Sequence, residues 1–235
     1  MNFQLPKGTR DFSPEEKILR DKIVNTLKEV FELYGYAPLD TPILEKFDVL
    51  ASKYAGGSEI LKEAFQLRDQ GKRELGLRYD LTVPLARYVG MNPTIKMPFK
   101  RYQIGEVFRD GPVASGRYRQ FTQCDVDVAG SASMAADAEI VSLVYTAFCK
   151  LNLEVTAKIN NRKLLQAIIE SVQISRAKEV MRSLDKIGKI GIDEVKVSLR
   201  KLADSNQIIT LFKLLEKDIA FFKKNAFSGA DELEE

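Results

Sequence analysis

The chain has 235 residues, 45% of them hydrophobic, which is enough for one to two domains with a real core. Its net charge of +3 permits an anionic partner without demanding one. It contains no histidine, which excludes Ser-His-Asp and Cys-His hydrolysis, histidine-ligated zinc and histidine acid/base chemistry on this chain. No run approaches the roughly 18 apolar residues of a membrane span, and Met1–Pro6 lacks the basic and apolar regions of a secretory signal. A cytoplasmic protein without a membrane partner is therefore expected. Cys124 and Cys149 form no metal-spaced pair and read as reduced core thiols.

In chain order, Ser13-Pro14-Glu15-Glu16 predicts a capped helix start, with Ser13 as N-cap and Pro14 at the first helical position. Leu19, Ile23, Leu27, Val30, Phe31 and Tyr34 then form one stripe, and Gly35 ends the helix. Tyr36 to Glu45 carries Pro38 and Pro42, so it reads as an extended segment with Pro42 at an edge, bulge or interface. Residues 73–80 predict a strand ending at Asp80, and Leu81 to Val89 a short helix with Gly90 beyond it. Residues 97–109 and 117–129 predict a long hairpin around Asp110–Gly116. A helix follows from about Ala135 to Lys150, then a strand over Leu153 to Ile159, and a helical pattern from about Ile168. Residues 171–235 hold 12 basic and 11 acidic residues, so this block is no basic arm. The succession is α+β; there is no phosphate-loop lysine motif and no Gly-x-Gly-x-x-Gly.

Alternation along 117–128 separates two faces. One carries Tyr118, Gln120, Thr122, Cys124, Val126 and Val128; the other carries Arg117, Arg119, Phe121, Gln123, Asp125 and Asp127. The second face is either simply solvated or a row suited to an elongated ligand, anionic at one end and cationic at the other. Arg109, near the same loop, adds a third guanidinium suited to phosphate oxygens. Asp80 either caps the helix after it or faces into the sheet to bind an ammonium group.

Pro6-Lys-Gly-Thr-Arg-Asp-Phe12, Thr41-Pro-Ile-Leu-Glu45, Leu77-Arg-Tyr-Asp-Leu-Thr82 and Val107-Phe-Arg-Asp110 stand in an order that resembles histidyl-tRNA synthetase. Gly116-Arg-Tyr-Arg-Gln-Phe-Thr-Gln-Cys-Asp125 and Asn160-Asn-Arg-Lys-Leu-Leu165 extend the likeness over essentially the whole chain. The strings Tyr-Asp-Leu-Thr and Gln-Cys-Asp look closer to the archaeal and eukaryotic wording.

The resemblance implies a class II synthetase fold, an antiparallel sheet flanked by helices, as a homodimer joined around Pro42. It also implies the activity of a histidine–tRNA ligase with ATP, Mg²⁺, histidine and tRNA(His). Arg109 matches the catalytic arginine on the ATP α-phosphate, Arg117 an arginine near the terminal phosphates, and Phe121 the aromatic that stacks on adenine. Asp80, Thr82, Gln123 and Asp127 match positions that hold histidine; no resident metal ligand is implied. Residues 1–168 would be part of the catalytic core and 169–235 part of a helical insertion domain that touches tRNA. The family's third motif, its histidine-specific segment and its anticodon-binding domain have no match, so a truncated or split catalytic domain, completed by a separate C-terminal fragment, is expected. Gly111 stands where class II enzymes often have a carboxylate. The alternatives are a non-catalytic synthetase-like regulatory subunit of ATP phosphoribosyltransferase in histidine biosynthesis, and a generic α+β interaction module.

Overall fold

The computed structural model describes residues 3–52 and 63–233, which divide into two compact units at Val155/Thr156. In the first unit, helix α1 (Pro14–Leu33) starts as its sequence requires. The Ser13 hydroxyl accepts from Glu16 N–H at 3.3 Å, and the Glu16 carboxylate accepts from Ser13 N–H at 2.9 Å. The apolar stripe is buried only at its C-terminal end: Val30 and Phe31 are inside, whereas Leu19 and Ile23 are exposed.

Strand β1 (Ala37–Pro38) pairs parallel with β5 (Phe99–Phe108), which pairs antiparallel along its whole length with β6 (Gln120–Ala129). The sheet is therefore mixed, β1-β5-β6. A second antiparallel sheet has the order β2-β4-β3, from Leu44–Lys46, Glu74–Leu77 and Gln66–Arg68. Pro42 is exposed between β1 and β2 and belongs to neither. Helix α2 (Phe47–Ser52) follows β2. Helix α3 (Thr82–Met91) runs further than its sequence signals indicate: Gly90 lies in its last turn and Asn92 is the C-cap.

The even-numbered side chains of the hairpin form the core against helices. Tyr102, Ile104, Val126 and Val128 pack on Val30 and Phe31 of α1 and on Leu143 and Ala147 of α4 (Met134–Lys150). That settles the alternation, because the odd-numbered face is turned away from this core. Cys124 and Cys149 are free and exposed rather than core thiols.

The strand expected at Leu153–Ile159 does not form; this stretch is irregular, and among the described residues no strand pairs with it. Alternating apolar residues make a strand only where a neighbour accepts their backbone hydrogen bonds.

The second unit is all helix: α5 (Arg162–Ser171), α6 (Ala177–Leu184), α7 (Ile187–Ile190), α8 (Ile192–Leu199), α9 (Ser205–Leu215) and α10 (Ile219–Lys224). Leu164, Ile168, Ile169, Val180, Val195, Leu199, Leu211 and Phe222 form its core. Asn161, Asp204 and Asp218 cap three of the helices with their side chains. The unit begins before α5, whereas the sequence reading divided the chain after residue 168.

Candidate active site

The register of β5 and β6 builds the candidate site. Arg101 stands opposite Asp127, Gln103 opposite Asp125, Gly105 opposite Gln123 and Val107 opposite Phe121. Arg109 and Arg119 continue the face at the loop end, where Arg109 N–H donates to Arg119 O at 2.8 Å. One face therefore runs from guanidiniums through an aromatic and an amide to carboxylates.

Arg109 and Phe121 are brought together. The guanidinium carbon lies 5.1 Å from the ring centroid, and Nε donates to Tyr79 O at 3.1 Å. This cation–π contact holds a planar donor group beside a planar apolar one. Asp80 is 8% exposed, and its Oδ1 accepts from Val83 N–H at 2.9 Å, so it caps α3. It also acts electrostatically on Arg101 and on Asp125, so the capping role and a place in the charged cluster coexist.

Asp127 Oδ2 lies 2.7 Å from Arg101 Nη2. The geometry is that of an ion pair rather than an aligned hydrogen bond: Nη2 donates to Leu81 O at 3.2 Å, and Asp127 Oδ2 has no hydrogen-bond donor. Gln123 Oε1 is also buried without a donor. Burial pushes the Asp125 carboxyl above its ordinary value, Arg101 draws it back, and Asp127 and Asp80 push it up again.

Two candidates stand apart from this row. Arg117 is exposed and pairs with Glu63 at 3.0 Å. Thr82, the first residue of α3, is exposed and borders a cavity of about 610 Å³ with Asp48, Val49, Ser52 and Arg87; no other candidate residue lines it.

Glu63 also bears on Gly111. A Cβ at Gly111 would come within 2.9 Å of the Glu63 carboxyl carbon, and Asp110 N–H donates to Glu63 O at 2.6 Å. A carboxylate from another segment thus occupies the space beside Gly111, while Asp110 pairs with Arg119 at 3.1 Å.

Sequence reading missed Arg101, Arg78 and Glu63. Arg78 is 3% exposed, donating from Nε to Glu106 O at 2.8 Å and from Nη1 to Thr41 O at 2.6 Å. The only signal for Arg101 is its place on β5, two residues from Gln103, on the face that Arg109 shares.

A two-sheet α+β unit with a hairpin carrying arginines, an aromatic and carboxylates on one face is the class II synthetase type of fold. A family profile described as "Histidyl-tRNA synthetase" matches residues 8–234. The "Histidine--tRNA ligase 1" of Bacillus cereus is 48% identical over all of this chain, which covers 57% of that protein. The crystal structure of histidyl-tRNA synthetase from Nostoc superposes with a TM-score of 0.84 at 29% identity, over 100% of this chain and 55% of that one. A Bacillus halodurans structure titled an ATP phosphoribosyltransferase regulatory subunit/histidyl-tRNA synthetase matches with a TM-score of 0.75 at 25% identity, over 91% and 55%. The chain belongs to the histidyl-tRNA synthetase family.

It spans about half the length of these relatives. They are bacterial, so the archaeal and eukaryotic affinity expected from two short strings is not upheld. Strings of three or four residues record the needs of a site more than a lineage. Among the described residues no helix is long and apolar enough to cross a membrane.

Proposed function

We propose that this chain carries the histidine-activating part of a histidine–tRNA ligase. The observation that supports it most is the ordered polar face: Arg109 against Phe121 at one end, and Gln123 with Asp80, Asp125 and Asp127 at the other. ATP would lie with its adenine on Phe121, its α-phosphate at Arg109 and its terminal phosphates toward Arg117. Histidine would take the carboxylate end, its ammonium near Asp80 and its imidazole N–H toward Gln123 and Asp127.

The chemistry requires no histidine on the protein. The amino acid's carboxylate, already anionic, attacks the α-phosphorus; the bond to the β-phosphate oxygen breaks and pyrophosphate leaves with the electron pair. No proton moves in that step, so no general base is needed. The protein positions two anions and offsets the charge growing on phosphate oxygens, which arginines do well. Mg²⁺ would arrive on the triphosphate, where it typically needs only one or two protein carboxylates. Among the described residues no cluster of three Asp, Glu or Cys is arranged to hold a metal.

The first unit, through Val155, is proposed as catalytic core and the helical unit from Thr156 as part of the insertion domain that meets tRNA(His). A homodimer through the exposed Pro42 segment, a C-terminal fragment that completes the site, and a cytoplasmic location complete the proposal. The regulatory alternative is less well supported, because a histidine sensor has no use for Arg109 and Phe121 as an ATP grip.

The test is histidine-dependent pyrophosphate–ATP exchange, with the chain alone and with the C-terminal half of a relative added. Arg109→Ala should lower exchange about 100-fold or more. No exchange under either condition, with ATP phosphoribosyltransferase co-purifying instead, would overturn the proposal in favour of the regulatory subunit.

A further inference from the structure

Arg101 has no accessible surface, yet its side chain is not consumed by the fold. Arg78, almost as deeply buried, places Nε and Nη1 on backbone carbonyls and serves as a strut. Arg101 makes one such bond, to Leu81 O, and among the described residues its Nε and Nη1 meet no acceptor. A cation this deep is strongly unfavourable unless something compensates it. What compensates it is the carboxylate end of the polar face: Asp127 at 2.7 Å across the hairpin, with Asp125 and Asp80 acting on it electrostatically.

The converse matters for a ligand. Asp80, Asp125 and Asp127 reach one wall from the segment before α3 and from β6, and like charges so placed repel. Asp127 Oδ2 and Gln123 Oε1, neither of which receives a hydrogen bond, lie on the same face. We infer that Arg101 is a positioning residue: through Asp127 and Asp125 it offsets the mutual repulsion of the three carboxylates and keeps them ordered for a ligand's cationic group. The ligand class is an α-amino acid with an ammonium group and a side-chain N–H donor. This rests on the function proposed above.

The groups facing Asp125 are Arg101 from β5, Arg109 at its end, Asp127 on β6 and Asp80 before α3. Without Arg101 the Asp125 carboxyl, already raised by burial, rises further. The carboxylate charge, and with it the hold on a cation, is then lost sooner as pH falls.

The experiment is histidine and ATP titration calorimetry on the intact chain, comparing wild type, Arg101→Met and Arg101→Met/Asp125→Asn. Arg101→Met should weaken histidine binding about 30-fold, as expected for leaving one partner of a buried charge pair alone, with ATP affinity unchanged. The ratio of variant to wild-type affinity should fall further below neutral pH; histidine's own titration cancels in that ratio. The double variant, in which residue 125 is neutral at every pH, should show no such further fall. A single-variant ratio flat with pH, or the same pH dependence in single and double variants, would make Arg101 a packing strut and overturn the inference. Should wild type bind no histidine, the proposed function fails, and the Arg101 role is then decided by carbon NMR titration of the Asp125 carboxyl in the free chain. An upward shift in Arg101→Met supports it; none overturns it.

Discussion

At the scale of single residues, the site depends on close approaches that alternation cannot reveal. Gly105 is the clearest. A Cβ there would collide with Arg78 Nη2, inside any allowed contact. Arg78 fills that space and ties Thr41 to the backbone of β5 through two charge-assisted bonds. Gly105→Ala should therefore displace the guanidinium, break at least one of those bonds and destabilise the first unit by about 2–3 kcal/mol. Urea unfolding measures it, and a change under half that size would show that Arg78 has room to move. The glycine and the arginine are both visible in the sequence, but their meeting is not, since it needs the β4–α3 segment laid over the hairpin. The same holds for Arg101 and Asp127, which are neighbours only through the register of two strands. Arg109, Phe121, Gln123 and Asp127 are legible because one alternating face carries them, from the hairpin loop to the far end of the strands. Asp80 is legible as a choice between a helix cap and an ammonium ligand; the fold makes it a cap, set beside the charged cluster.

At the scale of elements, local signals predicted starts better than ends or burial. Ser13, Pro14 and Glu16 specify the beginning of α1 through hydrogen bonds made within three residues. Such bonds need no tertiary context, so the sequence reveals them. Ser13→Ala removes the acceptor for Glu16 N–H and should cost about 1 kcal/mol, read as a lower urea midpoint with an unchanged slope. A loss below about 0.3 kcal/mol would mean that water replaces the hydroxyl without penalty. The stripe of α1 was harder to judge. Periodicity finds the apolar face, but only contact with the sheet and α4 decides which turns are covered, and Leu19 and Ile23 are not. The missing strand at residues 153–159 is the same lesson for β structure, because its alternation found no neighbour among the described residues.

At the scale of the whole molecule, two hydrophobic cores are built from separate stretches of chain. One lies between the hairpin, α1 and α4; the other lies among α5 to α10. Domains with their own cores unfold as separate cooperative units unless their interface is large and apolar. The tyrosines supply a probe, because all 8 of them fall before residue 156 and the chain has no tryptophan. Tyrosine fluorescence thus follows the first unit alone, while far-ultraviolet circular dichroism follows the helices of both. Leu211 has no accessible surface in the core of the second unit, and Leu211→Ala should cost that unit about 2–5 kcal/mol. In urea the variant should show part of the dichroism transition moving to lower concentration while the tyrosine transition stays in place. If the tyrosine transition moves with it, the two units fold as one, and the separate cores are halves of a single cooperative structure.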